Sequence, residues 1–179
     1  MTLISNGANL VGTKVPTFTT LKVTKSVPQI LSSDTFFSNK RVVMFSVPGA
    51  FTPTCSTRQL PDFITSSESI LNCNIDNIYC LSVNDTYVLN AWFTANKVKN
   101  IDYIPDPTGE FTERLGMLVE KSNLGLGKRS WRYAMVVNNK TIEQVFLEPG
   151  ISNNIEKDPY FTSSPSNILD YLHRVLKHI

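Results

Sequence analysis

The chain has 179 residues, a formal net charge of +2 from 17 basic and 15 acidic side chains, and 41% hydrophobic residues, enough for one domain with a substantial core spanning residues 1–179. Its Lys and Arg residues are scattered rather than striped, which argues against a nucleic-acid partner, and no apolar run approaches the ~18 residues that a membrane span needs. The three cysteines, Cys55, Cys73 and Cys80, have no paired spacing, and the two histidines stand away from them near the C-terminal end. A zinc site, a secreted disulfide scaffold and a secretory leader are therefore not expected.

In chain order, residues 10–27 are polar with Thr-rich alternation, Phe18-Thr19-Thr20-Leu21-Lys22-Val23, and predict a short hairpin or edge strand. Ser33-Asp34-Thr35 before Phe36-Phe37 predicts a brief capped helical turn. Arg41 to Val47 is short, apolar and β-branched, a buried strand. A helix follows Cys55, with Pro61 in its interior removing an N–H and crowding the Thr57 carbonyl, so a kink is expected. Ile78 to Val83 reads as a second buried strand, and Asn84-Asp85 caps a helix with Val88, Leu89, Trp92 and Phe93 inward. A short extended piece over 101–104 precedes a helix opened by Pro107-Thr108-Gly109-Glu110, with Phe111 and Leu115 inward. Residues 124–128 are Gly-punctuated loop. Tyr133–Val137 and Thr141–Phe146 flank Asn138-Asn139-Lys140 as a hairpin, and Ser164-Pro165 opens a final helix with Ile168, Leu169, Leu172, Val175 and Leu176 on one face. Together these describe one α/β domain, a mixed sheet covered on both sides.

The most informative stretch joins the first buried strand to its helix: Pro48-Gly49-Ala50-Phe51-Thr52-Pro53-Thr54-Cys55. A cysteine at a helix start meets unpaired backbone N–H groups and the positive end of the helix dipole. Both favour the thiolate, the reactive form of cysteine. Cys55 is the candidate nucleophile.

This octapeptide resembles the Pro-x-x-x-Thr-x-x-Cys signature of peroxiredoxins, in the Gly-Ala-Phe-Thr-Pro-Thr-Cys-Ser form of the atypical type II subfamily. Cys80-Leu81-Ser82-Val83-Asn84-Asp85 and Trp131-Arg132-Tyr133-Ala134-Met135-Val136-Val137 are similar to two further subfamily segments. Met117 to Asn123 and Lys157-Asp158-Pro159-Tyr160 resemble the malaria-parasite antioxidant-protein type of one-cysteine peroxiredoxin. The resemblance covers residues 10–179. It implies a thioredoxin fold, a mixed central sheet flanked by helices with an N-terminal hairpin extension, and no cofactor.

It also implies the roles. Cys55 attacks the peroxide, Arg132 supplies the cation beside it, and Thr52 offers its hydroxyl, a plain helix cap being the duller reading. Pro48 and Pro53 stiffen the loop. Gln59 stands where the family carries a polar partner of the arginine, often His or Glu, and Phe51 lies at the pocket mouth. Arg129 competes for the arginine role, although its Gly-rich surroundings suggest a solvated position; Cys73 reads as a partly exposed bystander. Cys80 follows Cys55 by twenty-five residues, the spacing at which plant type II enzymes carry a second redox cysteine, yet its apolar neighbours suit a small buried hydrophobe. Ser163 stands where mammalian members have a resolving cysteine. The resemblance thus implies hydroperoxide substrates and glutathione, glutaredoxin or thioredoxin as reductant. It implies a homodimer with Phe51 and the Leu124-Gly125-Leu126 loop near the contact or the mouth. The compartment implied is intracellular, a plastid-type organelle (apicoplast), with cytoplasm or mitochondrion as alternatives. Two other readings are a thiol–disulfide oxidoreductase, for which Cys55-Ser56-Thr57-Arg58 lacks the second thiol, and a peroxide sensor or holdase without turnover.

Overall fold

The computed structural model describes residues 7–177. Strands β1 (Thr19–Thr24) and β2 (Val27–Ser32) form a separate antiparallel hairpin, turned at Lys25-Ser26, both with positive φ. The expected N-terminal hairpin is present but lies later than the 10–27 window, because two central residues at φ > 0 make the twist-matched tight turn between strands. Ser32 caps α1 (Ser33–Phe37) reciprocally with Thr35.

The main sheet has the order β5–β4–β3–β8–β9. β3 (Arg41–Val47), β4 (Asn77–Ser82) and β5 (Asp102–Pro105) run parallel, with α2 (Leu60–Leu71) and α3 (Thr86–Ala95) as crossovers. β8 (Tyr133–Asn138) pairs antiparallel with β3 and turns through Asn139-Lys140, again at positive φ, into β9 (Thr141–Leu147). Strand alternation divides the core in two. Val43, Phe45 and Val47 of β3 face α2, α3 and α5 (Pro165–Leu176), while Val42 and Met44 face α1 and α4 (Glu110–Arg114). The mixed, doubly covered sheet is the expected architecture.

Asp85 caps α3 by accepting from the N–H groups of Tyr87 (2.8 Å) and Val88 (3.0 Å). The expected kink at Pro61 takes another form: residues 55–59 make a π-helical turn, with the Leu60 N–H bonded to the Cys55 carbonyl. The proline then stands beside a turn whose pairing is already shifted by one residue. Residues 117–130 hold what the sequence pattern concealed. β6 (Leu118–Glu120) and β7 (Lys128–Ser130) pair as a second small sheet across a turn of 3₁₀-helix at Ser122–Leu124. Three-residue strands are too short for alternation to register. Among the described residues, no helix is long and apolar enough to cross a membrane.

The Phe45 ring stacks on Phe63 at 3.8 Å between centroids, joining the central strand to the helix that follows Cys55. Phe45→Ala is expected to lower unfolding free energy by about 3–5 kcal/mol, and Asp85→Ala by about 1 kcal/mol. Urea titration measures both.

Candidate active site

β3 ends at Val47, and Pro48, buried, starts the turn to the helix. The N–H of Ala50 donates to Asn84 Oδ1 (3.0 Å), which also accepts from Ser82 Oγ (2.6 Å), so the turn after β4 pins this loop. Phe51 takes a left-handed φ of 62° and its ring is exposed. The Ser56 N–H reaches the Thr52 carbonyl at 3.0 Å, which makes Thr52 the cap and Pro53 the first helical residue. Proline costs nothing there, since its missing N–H would have no partner in any case. The N–H groups of Thr54 and Cys55 in this first turn have no helix carbonyl behind them. The Thr52 hydroxyl donates to the Gly49 carbonyl (2.7 Å), which leaves its oxygen lone pairs as acceptors.

Cys55 is fully buried, and Arg132 Nη2 lies 3.4 Å from its sulfur. Arg132 stands in the two-residue link between β7 and β8, immediately before the expected strand. Its Nε donates to Gln59 Oε1 (2.7 Å), and Gln59 Nε2 in turn donates to the Ser46 carbonyl (3.0 Å). Nη1 donates to Asp158 Oδ1 and to the Pro159 carbonyl, each at 2.7 Å, and Nη2 to Asp158 Oδ2 at 3.1 Å. Burial alone pulls the guanidinium pKa down. The hydrogen bonds to Asp158 and the charges of Cys55 and Asp158 outweigh it, and the net shift is upward.

Arg129 is not solvated as expected. It is half-buried, donating to the carbonyls of Leu126 (3.0 Å) and Val83 (3.1 Å). A Cβ on Gly49 would stand 3.2 Å from Arg129 Nη1 and 3.1 Å from Thr52 Cγ2, so the glycine permits this close approach. Burial pulls its pKa down while the Cys55 charge opposes. A Gly-rich run reads as open loop, but here its Leu126 carbonyl folds onto the guanidinium, and Val83 after β4 supplies the second carbonyl.

Cys73 is likewise buried rather than partly exposed, its thiol donating to the Ser69 carbonyl at 3.3 Å. Burial pushes its pKa up, partly offset by Arg41. Cys80 is fully buried in β4, on the core face that also holds Cys55. Burial and then the Cys55 charge push its thiol well above the usual range. All three cysteines are free. Ser163 is also fully buried, its N–H and hydroxyl donating to Glu148 Oε1 at 2.8 Å each.

Two residues of this cluster were missed as site residues, although both lie in segments that carry the resemblance. Asp158 holds the guanidinium in the bidentate geometry that fixes orientation as well as charge. Its segment is fastened to the helix by the Tyr160 hydroxyl, which donates to Asp62 Oδ2 (2.8 Å), and by Arg58 over the Tyr160 ring. Lys121, at the end of β6, is 2% exposed. An Asp before Pro reads as a turn residue, and a Lys beside Ser and Asn reads as surface. Only the tertiary fold brings Asp158 onto Arg132 and Lys121 over the Trp131 ring.

The family model described as Redoxin matches residues 10–160. The chain is 55% identical over 144 residues to peroxiredoxin y4vD of Sinorhizobium fredii, covering 80% of this chain and 77% of that one. It is 45% identical over 177 residues to the hybrid peroxiredoxin hyPrx5 of Haemophilus influenzae, covering 96% and 71%. Among solved structures, the Plasmodium falciparum antioxidant protein, a 1-Cys peroxiredoxin, superposes with a TM-score of 0.87 at 32% identity over 91% of this chain and 98% of that one. Reduced Prx3 of Vibrio vulnificus in complex with hydrogen peroxide gives 0.82 at 33% identity over 90% and 98%. The chain belongs to the redoxin family and is a peroxiredoxin of the atypical type. It is therefore a thiol-dependent peroxidase with an antioxidant role.

Asp158→Asn keeps the shape of the clamp and removes its charge. With the carboxylate side chain a third exposed, solvent screening limits the loss. Stopped-flow oxidation of the reduced enzyme by hydrogen peroxide is expected to slow by about tenfold, equivalent to about 1.4 kcal/mol of transition-state stabilisation.

Proposed function

We propose that Cys55 is the peroxidatic residue, that hydrogen peroxide and alkyl hydroperoxides are its substrates, and that glutathione or glutaredoxin, rather than a second protein thiol, restores it. The observation carrying this reading is Cys55 sulfur at a helix start, 3.4 Å from a guanidinium whose other donors are all fixed.

In the first step the Cys55 thiolate attacks one peroxide oxygen. A sulfur–oxygen bond forms as the oxygen–oxygen bond breaks, and sulfur loses the two electrons that the peroxide gains. The departing oxygen leaves as alkoxide or hydroxide, takes a proton and becomes alcohol or water, while Cys55 becomes a sulfenic acid. Arg132 and the Cys55 N–H stabilise the charge developing along the oxygens. The Thr52 oxygen, its own proton spent on Gly49, accepts the hydrogen bond of the incoming hydroperoxide.

In the second step a thiol displaces water from the sulfenic acid to give a mixed disulfide, and thiol exchange by another thiol or by glutaredoxin frees Cys55. Two placements favour an external thiol. Cys80 is locked in a central strand with its thiolate disfavoured, and Ser163 occupies the mammalian resolving position. Thioredoxin is the alternative reductant, acting by the same exchange. The resemblance favours a homodimer in an intracellular compartment, the plastid type first; exposed Phe51 and Leu124 suit a contact or the pocket mouth.

Cys55→Ser is expected to abolish peroxide turnover and Cys73→Ser to leave it within about twofold, a change below ~0.5 kcal/mol. After one equivalent of peroxide and then glutathione, intact-mass spectrometry is expected to show one glutathione on Cys55. Cys80→Ser is expected to turn over with glutaredoxin at close to the parent rate. A quantitative Cys55–Cys80 disulfide, with turnover lost in Cys80→Ser, would replace this scheme with a two-cysteine one.

A further inference from the structure

Glu148 is the buried carboxyl that the reaction steps leave without a task. It is fully buried and makes no ion pair among the described residues. Carboxylates are almost never buried this far unless something replaces the lost water. Its two oxygens are treated very differently. Oε1 accepts three hydrogen bonds of 2.8 Å each, from the Phe161 N–H, the Ser163 N–H and the Ser163 hydroxyl. Oε2 is enclosed and has no partner among the described residues. An oxygen left bare in the interior costs free energy, so the residue is kept for the three donors that converge on the other one.

Those donors belong to one short segment, and the segment leads to the reacting sulfur. Three residues before Phe161, Asp158 holds Arg132 Nη1 at 2.7 Å and Nη2 at 3.1 Å, and the Pro159 carbonyl takes a further bond from Nη1 at 2.7 Å. Arg132 Nη2 lies 3.4 Å from the Cys55 sulfur. The main chain of Glu148 reaches the same arginine from the other side. Tyr133 faces Leu147 in the β8–β9 register, so Arg132 and Glu148 stand one residue beyond that pair. The Glu148 N–H donates to the Arg132 carbonyl at 3.2 Å, and the Glu148 carbonyl accepts from the Trp131 indole at 2.8 Å.

These contacts close into a ring. It runs from the Arg132 backbone to the Glu148 backbone, and through the Glu148 carboxylate to Phe161 and Ser163. From there it follows the chain back to Pro159 and Asp158 and returns to Arg132 through the guanidinium. A long, flexible side chain is thus held at both ends before any substrate arrives. The Tyr160 hydroxyl adds an anchor on Asp62 at 2.8 Å. That anchor ties the segment to α2, whereas Glu148 ties it to the link that carries Arg132 and so sets the guanidinium against its own backbone.

We propose that Glu148 is a positioning residue for the peroxide reaction: Oε1 holds the 158–163 segment where Asp158 and Pro159 aim the Arg132 guanidinium at Cys55. The proposal rests on Cys55 as the reacting thiol and Arg132 as its cation. Glu148 acts through Arg132, without contact with peroxide. Ser163 belongs to the same device, its hydroxyl being one of the three donors.

A double-mutant cycle separates positioning from general support of the fold. The second-order rate constant for oxidation by hydrogen peroxide is read by stopped flow in the parent, Glu148→Leu, Glu148→Gln and Ser163→Ala. Each substitution is then repeated with Arg132→Met. Glu148→Leu leaves the three donors without an acceptor and is expected to slow oxidation by about tenfold. Glu148→Gln keeps an oxygen for them and is expected to stay within about threefold of the parent, as is Ser163→Ala, with a loss of about two- to threefold. With Arg132→Met in place, all three substitutions should change the rate by less than about twofold, because the group that they misplace is gone.

Equal slowing in both backgrounds would overturn the proposal. So would a parent-like rate in folded Glu148→Leu, or a Glu148→Gln rate as low as that of Glu148→Leu. If Glu148→Leu does not fold, Ser163→Ala decides. A loss that vanishes with Arg132→Met supports the proposal; a loss of equal size in both backgrounds, or none in either, overturns it. An Arg132→Met rate near the parent's would contradict the role of Arg132 and overturn this proposal with it. A large loss in Arg132→Met, with Glu148 losses simply added to it, would overturn this proposal alone.

Discussion

Everything at the centre of this molecule depends on satisfying one buried guanidinium. Arg132 is 1% exposed, and a charge taken out of water costs several kcal/mol unless its hydrogen bonds are replaced. Here all five N–H groups have partners: Gln59, both oxygens of Asp158, the Pro159 carbonyl and the Cys55 sulfur. A guanidinium is planar, so fixing four donors fixes the fifth. The cation is thereby aimed at sulfur before any substrate arrives. That is preorganisation obtained from folding.

The rest of the fold supplies those partners from separate parts of the chain. β3 carries the Ser46 carbonyl that orients Gln59, and the π-helical turn after Cys55 brings Gln59 round to Arg132. The segment before α5 delivers Asp158 and Pro159, fastened by Tyr160 to Asp62 of α2 and by the Phe161 N–H to Glu148. Glu148 also receives the Trp131 indole on its carbonyl (2.8 Å), and its N–H donates to the Arg132 carbonyl (3.2 Å), so one residue holds both residues of the link between β7 and β8. A loosened segment at 157–163 would reach the sulfur through this chain of contacts.

The sequence exposed those parts of the fold and site that local chemistry dictates. β3, β4 and β8 were legible because each is short and apolar, and α3 because Asp85 is a strong cap. Cys55 was legible because its strand, turn and helix start are contiguous, and the resemblance put Thr52, Gln59 and Arg132 around it. The misreadings have a common cause. Arg129 and Cys73 were given exposure from neighbours in sequence, whereas their burial comes from neighbours in space. β6 and β7 are three residues each and leave no periodic trace. Asp158 and Lys121 sit among turn-forming and polar residues, and only the tertiary fold brings the one onto Arg132 and the other over the Trp131 ring. A charge network is long-range, and local pattern cannot display it.

The most direct test of this account is the second-order rate constant for oxidation of reduced enzyme by hydrogen peroxide, measured by stopped flow in Arg132→Met and Arg129→Met against the parent. Removing a preorganised donor at the reacting atoms is expected to cost on the order of 10²–10³ in rate, so Arg132→Met should fall by that much. Arg129→Met, whose guanidinium is committed to Leu126 and Val83, should fall far less. An Arg132→Met rate close to the parent's, or a larger loss in Arg129→Met, would contradict the central role given to Arg132.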